Sequence, residues 1–409
     1  MEYTFDDEAE SRLESYISGI GTILGNDSRR ASFGMYAMGL LGEGERKSFE
    51  PIAARACPDP DRLGAVHQHV QHFITDSRWS DRAVRLYAAR YALSAMTERE
   101  PVVAWIFDDT GFLKQGTHSV GVQRQYTGSA GKVANCQLGT SLVVTTQTMH
   151  VAIDFELYLP QSWMEDAARR REARIPAELE FKTKPQQAVE MMRRALQDGI
   201  PPGVVLADCA FGDSNDFRAG IRALGLHYAV GIEAPTKVAR LDSAGRKRGY
   251  RTSVASLAEH LHAEGRHAYR RVTWRDGTKR RLSSRFAVQR VVPVRTKTRR
   301  SANPEPVWLL IEWPDGEPAP INYFFISIPK LSRKMMVRLV KERYRTEAVY
   351  QELKGELGLD HFEGRRFTGW HHHVSLVLSC HAFLVAERAR RFSPSARRPT
   401  PSDSVALAA

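Results

Sequence analysis

Cysteine is scarce in this chain, with four in 409 residues (Cys57, Cys136, Cys209 and Cys380) and no C-x-x-C pair. That is too few and too scattered for a disulfide framework, and it argues against a structural zinc site. No long apolar run is present either. The longest, around residues 374–386, is broken by Ser, Cys and His and is too short to span a bilayer. The opening Met1-Glu-Tyr-Thr-Phe-Asp-Asp-Glu does not read as a secretory signal. Internal repeats are absent. With 42% apolar and 26% charged residues the chain has ample material for a core, so a secreted mini-protein, a membrane protein and a disordered chain are excluded.

Acidic residues are the other scarcity, and it is local. Residues 235–300 hold 19 Lys/Arg against 4 Asp/Glu, while the whole chain carries a formal +12, so everything outside that segment sums to slightly negative. Basic residues there are interleaved with Tyr250, Tyr269, Trp274 and Phe286, a pattern that points to a polyanion contact. Residues 1–100 are acidic on balance, with 12 Lys/Arg against 16 Asp/Glu, and show no basic face.

Apolar spacing divides the chain. Residues 8–95 read as helices, with Ser80-Asp81 as a cap for the last of them and Cys57-Pro-Asp-Pro-Asp-Arg as a turn. From Pro101 the texture is mixed. Strand-like runs at 102–107, 138–146 and 149–158 precede a helix at 184–197, a buried strand at 203–208, a short helix at 213–224 and a strand at 228–232. Strand-like stretches at 269–274, 284–294 and 307–313 fill the basic segment and its sequel. The pattern then resumes with a strand at 323–328, a long helix at 332–357 and another from Trp370 to about Arg391. The Ser/Pro/Arg/Ala-rich tail from Ser393 reads as disordered. The expected fold class is α/β, a mixed sheet with helices, behind a helical front.

Two strands end in carboxylates: Asp109 follows 102–107, and Asp208 closes 203–208. Ligands gather at such strand ends in α/β sheets. On the long helix, at roughly 100° per residue, Arg343, Glu347 and Lys354 fall on one face while Glu352 and Glu356 fall opposite. One Glu between two cations, with two Asp on separate strands, has a definite chemical use. Hard oxygen ligands suit Mg²⁺ or Mn²⁺, and two such ions bridge the attacking and leaving oxygens of phosphoryl transfer. Arg and Lys beside them hold phosphates. Gly128-Ser-Ala-Gly-Lys132 does not make a phosphate loop, since the glycine spacing is short and Val133 stands where Ser or Thr is needed. A haloacid-dehalogenase-type phosphatase fails because Thr110 stands where a second Asp is required. His371-His-His373 reads as a solvated or phosphate-contacting turn rather than a metal site, because consecutive helical residues diverge. The run Arg169-Arg-Arg171 reads as a solvated helix face.

These residues sit in motifs that resemble the bacterial insertion-sequence transposases of the DDE superfamily. The likeness rests on Asp108-Asp-Thr-Gly-Phe-Leu-Lys-Gln-Gly116, Ser119-Val-Gly-Val-Gln-Arg-Gln-Tyr126, Gly131-Lys-Val-Ala-Asn-Cys-Gln137, Ala207-Asp-Cys-Ala-Phe-Gly212 and Gly355-Glu-Leu-Gly-Leu-Asp-His-Phe-Glu-Gly-Arg365 with Trp370-His-His-His373. It runs from about residue 104 to 384. The resemblance implies an RNase H-like catalytic domain over 99–234 and 321–392, split by a basic β-rich insertion at 235–320. A helical domain at 1–98 for end-DNA recognition or dimerisation precedes it, and a disordered tail at 393–409 follows. The family's Tyr–Arg–Glu–Lys signature fits Arg343, Glu347 and Lys354 but has Val340 at its Tyr position, with Tyr344 close by.

By this resemblance Asp109, Asp208 and Glu347 are the catalytic residues and the ligands of two Mg²⁺ or Mn²⁺ ions. Arg343, Lys354, Arg345 and Lys132 contact DNA phosphates, Trp274 is an aromatic for a flipped base (Trp308 and Trp313 being equally available), and Asp108 supports the ligands from behind. The implied activity is cleavage at element ends followed by attack of the 3′-OH on target DNA, with terminal inverted repeats and target DNA as partners. A homodimer in the DNA complex, no membrane, and a cytoplasmic, nucleoid-associated location belong to the same expectation. Two alternatives stay open: a metal-dependent endonuclease without strand transfer, and a domesticated DNA-binding protein without catalysis.

Overall fold

A computed structural model describes residues 7–391 apart from 58, 243, 266, 277–280 and 295–304. The expected tail at 393–409 and part of the basic segment therefore lie outside the described residues, as does the side chain of Tyr250. Helices α1 (Asp7–Leu24), α2 (Asp27–Leu41), α3 (Phe49–Ala56), α4 (Pro60–Thr75) and α5 (Asp81–Thr97) come first. Ser80 caps α5, its side chain accepting the Ala83 N–H at 3.1 Å as the sequence predicts. Strands β1 (Ala104–Leu113), β2 (Gln123–Thr127), β3 (Lys132–Thr145) and β4 (His150–Tyr158) follow. After them come α6 (Gln161–Glu165), α7 (Ala167–Glu172), α8 (Lys184–Gln197), β5 (Val204–Ala207), α9 (Cys209–Gly212), α10 (Asn215–Ala223) and β6 (Tyr228–Ile232). The intervening region holds β7 (Lys237–Leu241), β8 (Lys247–Ser253), α11 (Val254–Ala263), β9 (Arg270–Asp276), β10 (Arg281–Pro293), β11 (Val307–Glu312) and β12 (Asn322–Ile326). The chain ends in α12 (Arg333–Lys341), α13 (Tyr344–Gln351), a π-helical turn (Glu352–Glu356) and α14 (Phe367–Arg391).

The strands form one mixed sheet. β4 and β1 pair antiparallel to β3 on its two edges, and β1 pairs parallel to β5, which pairs parallel to β6. This is the RNase H-like arrangement that the motifs imply. Beyond β6 the sheet does not stop: β12, β11, β10, β7 and β8 continue it antiparallel, so the basic strands extend the catalytic sheet.

Helix α14 is buried almost throughout, from Gly369 to Ala389, because α5 covers the side turned away from β4. The front helices dock on it through polar ties as well as apolar packing. Tyr16 Oη donates to the Ser379 carbonyl at 2.8 Å, Arg85 Nη1 donates to Ser375 Oγ at 2.8 Å, and Arg12 pairs with Glu387 at 2.7 Å. A single apolar core therefore runs from Leu13 through the sheet to Ala389.

Three expectations need correction. The strand read as ending at Phe107 runs on to Leu113, because its pairing with β3 continues ten residues deep through Leu113↔Cys136. The helix read as continuous over 332–357 is broken at Glu342–Arg343 and ends in the π turn. Arg345 explains the break: its guanidinium is pulled to the Glu342 carboxylate and to the carbonyls of Gln147 and Thr148 at the β3–β4 turn. Finally, His371, His372 and His373 lie not in a solvated turn but inside α14, 5%, 2% and 0% exposed.

Candidate active site

Parallel pairing between β1 and β5 ends at Phe107↔Ala207. Asp108 and Asp109 therefore stand where β1 has lost its neighbour, and Asp208 is the first residue beyond β5. Asp208 also caps α9, its carboxylate accepting the N–H groups of Ala210 at 2.9 Å and Phe211 at 3.4 Å.

The pleat sends the two β1 carboxylates to opposite faces. Asp108 lies opposite Ser141, whose Oγ is 2.6 Å from Tyr350 Oη on α13. There Asp108 accepts Arg343 Nη1 at 2.7 Å, and the same guanidinium lies 3.8 Å from Glu347. Asp109 lies opposite Thr140, whose Oγ1 is 3.1 Å from Gln187 Oε1 on α8, and its carboxylate is ion-paired with Lys184. Both aspartates are largely buried.

Crowding of like charges marks the spot. Burial, then the charges of Asp208 and Asp109, pushes the Asp108 carboxyl up to about 7, against the downward pull of Arg343. Asp208 is raised by burial and by Asp109, again opposed by Arg343.

Asp108, Asp109 and Glu347 line a cleft of about 1330 Å³ together with Thr110, Ser129, Tyr350 and Lys354. Glu347 is 67% exposed on its wall. Lys354, carried by the π turn, donates to Thr110 Oγ1 at 2.8 Å, to the Gly111 carbonyl at 2.7 Å and to Ser129 Oγ at 3.2 Å. The wider turn lets Glu352 reach the other way, to Arg388 at 2.7 Å and His381 at 3.3 Å, while Lys354 reaches the cleft. The far end of the cleft is built by Lys114, Asp360, His361 and Glu363, and by Arg46 from the loop between α2 and α3.

The remaining expected residues are placed elsewhere. Arg345 is 7% exposed and committed to the β3–β4 turn, so its guanidinium is not offered to a phosphate. Lys132 is exposed at the start of β3 and does not line the cleft, although Gly128 and Ser129 of the same hairpin do. Trp274 is half-buried on β9, edge-on to Phe286 with the Lys341 ammonium 4.6 Å above its ring. Trp308 and Trp313 are likewise held, their indole N–H groups bonded to the carbonyls of Pro329 and Glu317. Tyr344, next to Arg343, is 40% exposed with the Arg275 guanidinium 4.8 Å from its ring, while Val340 is buried. Sequence reasoning missed Lys184, Ser129 and Tyr350. The sequence places a helix at 184–197, and the capping box that opens it names a helix start, not a site.

The donor chemistry suits a hard divalent cation, since the crowded carboxylates that raise Asp108 and Asp208 are the kind of set such an ion neutralises. Among the described residues, however, no three His, Cys, Asp or Glu side chains are gathered closely enough to hold a metal ion. Asp109 is held by Lys184 on one face while Glu347 leans to Arg343 on the other.

A mixed sheet of this order, with acids where the parallel pairing of its central strands ends, defines a class, the RNase H-like nucleases and polynucleotidyl transferases. The family model described as DDE superfamily endonuclease matches residues 21–281, and that of the transposase DDE domain matches 182–383. The chain belongs to the DDE superfamily of endonucleases. It is similar to a probable transposase for insertion sequence element IS701 from Microchaete diplosiphon, 27% identical over 198 residues that cover 48% of this chain and 47% of the relative. The chain thus spans about half the length of that curated relative. Among the described residues no helix is long and apolar enough to cross a membrane.

Proposed function

We propose that the protein is a DNA transposase that cuts at the ends of an insertion sequence and joins the freed 3′-OH to target DNA. Asp109, Asp208 and Glu347 are its ligating carboxylates and Asp108 their neighbour. The observation that carries this reading is the cluster of mutually repelling acids where β1 loses β5, opened to a long cleft and faced by Arg343 and Lys354. Mg²⁺ or Mn²⁺, two ions in this reading, supplies an activated water and a Lewis acid for the scissile phosphate when bound. Asp109, Asp208 and Glu347 hold that charge. Arg343 fixes Asp108 and neutralises the carboxylates on the Glu347 side, and Lys354 and Ser129 offer donors to a phosphate lying in the cleft. The arginine-rich strands β7–β10 extend the same sheet and give DNA a basic surface beside the cut.

Terminal repeats and target DNA are the partners, and a homodimer holding two ends is the assembly in this proposal. The helices of residues 1–98 serve end recognition or dimerisation, the region 235–320 binds DNA, and the protein works in the cytoplasm on the nucleoid. The test is incubation with DNA carrying the repeats that flank the gene, with Mg²⁺ and a target plasmid. Nicked ends and joined products are expected. Cleavage without joining reduces the protein to an endonuclease, and activity that survives Glu347→Gln sinks the site assignment.

A further inference from the structure

Lys184, paired with Asp109 but outside the lining of the cleft, is the least explained cation beside the acids. It is the first residue of α8, where a positive charge opposes the helix dipole, and no acid in that first turn offsets it. Helix stability therefore does not account for it. Its mount is rigid: the Thr183 side chain accepts the Gln186 N–H, Gln186 Oε1 accepts the Thr183 N–H at 2.8 Å, and Pro185 follows. Gln187 ties the same turn to the sheet through Thr140 at 3.1 Å and the Leu157 carbonyl at 3.0 Å. A capped, proline-fixed and sheet-anchored turn leaves only the lysine side chain free to move, and that side chain is spent on Asp109.

The consequence follows from the pleat. Asp109 faces α8 and Glu347 sits on α13 across the sheet edge, yet both line one cleft. The ammonium occupies Asp109 Oδ2, one of the two oxygens with which Asp109 would share an ion with Asp208 and Glu347. We propose that Lys184 is a tethered competitor for the divalent cation, a latch that holds Asp109 toward α8 and keeps the carboxylates apart until a metal ion displaces it. Lys184 is a positioning residue in this scheme, acting through Asp109, and the inference rests on Asp109 being a metal ligand.

Mn²⁺ binding to the full chain, read by the loss of free-ion electron paramagnetic resonance signal without DNA, tests it. Lys184→Met removes the competing cation and is expected to tighten Mn²⁺ roughly tenfold, about 1.4 kcal/mol. Lys184→Arg keeps a cation there and is expected to bind within about twofold of wild type. Lys184→Gln, should the methionine variant aggregate, is expected to follow it. Asp109→Asn is expected to abolish the tight site. Unchanged or weaker Mn²⁺ binding by Lys184→Met and Lys184→Gln, with Asp109→Asn still losing the site, overturns the latch and leaves the ligand assignment standing. Unaltered binding by Asp109→Asn overturns the assignment itself.

Discussion

His373 offers a quantitative test of how the cleft wall is held. Its ring is fully buried in α14, with Nδ1 2.8 Å from Tyr36 Oη on α2 and Nε2 3.1 Å from the Gly358 carbonyl, just past the π turn. The carbonyl accepts only, so Nε2 carries the proton and Nδ1 takes one from the tyrosine. That is a complete set of bonds for a neutral ring. Burial accordingly lowers its pKa from 6.5 to about 4, against the Gly358 bond that raises it. The unfolded chain therefore binds more protons than the fold does as pH drops from 6.5 toward 4, and stability is lost over that window. With those two values, a shift from pH 7.5 to 5 costs about 2 kcal/mol from this one residue. Urea midpoints followed by tryptophan fluorescence at pH 7.5, 6.5, 5.5 and 5 measure the loss. His373→Gln keeps an N–H for Gly358 but cannot titrate, so its stability falls less steeply by about 2 kcal/mol over the same range. Other groups titrate in this window, His372 lowered to about 4 by burial and Asp108 raised to about 7 by burial, but both proteins carry them and the difference between wild type and His373→Gln isolates His373. Parallel pH profiles for the two proteins refute the reasoning.

Other outcomes follow from the same geometry. Glu347→Gln is expected to lose cleavage of end DNA while its melting temperature stays within about 2 °C of wild type, since the side chain is two-thirds exposed. Arg85→Ala strips the partner from Asp81 at 2.7 Å, leaves Asp154 with Arg194 at 2.9 Å in place of both arginines, and leaves Ser375 short of a donor. Its urea midpoint should fall by the equivalent of about 3–5 kcal/mol. Gly358→Ala should cost about 1–3 kcal/mol by the same assay, because φ is +66° there and a Cβ would lie 2.5 Å from Lys47 Cβ. Lys354→Met should weaken binding of DNA in the cleft and reduce its salt dependence by about one counterion, measured by fluorescence anisotropy across a salt series.

What the sequence disclosed, and what it hid, follows a physical line. Apolar runs such as 102–107 and 203–207 announce buried central strands, and the Asp residues after them announce the site. β2 and β8 are edge strands rich in Arg, Lys and Gln, held by backbone pairing that leaves little trace in composition. His371–His373 read as polar and hence solvated, yet the partners of His372 and His373 are the carbonyls of Ile74, Trp79 and Gly358 and the Tyr36 hydroxyl, contributed by distant segments. Lys184 is hidden for the same reason, being 75 residues from Asp109. Of the three residues that helical periodicity set on one face, Glu347 and Lys354 line one cleft despite the break and the π turn, while Arg343 pairs with Asp108.

The acid excess of the first hundred residues also reads differently in three dimensions. Glu8 lies 3.4 Å from Arg12, Asp76 takes Arg174 and Arg366, and Asp81 takes Arg85. Of these, the Glu8 and Asp81 pairs lie within α1 and α5, while Asp76 ties the front helices to Arg174 after α7 and to Arg366 before α14. The boundary near residue 98 is one of sequence texture, while the packing is continuous: α5 lies along α14, and α14 lies on β4. Arg46 carries this to the site, because a residue of the helical front stands in the wall of the cleft that Glu347 lines. Tyr36 of α2, His373 of α14 and the Gly358 carbonyl are bonded in series, which ties the front helices to the segment just before Asp360, His361 and Glu363.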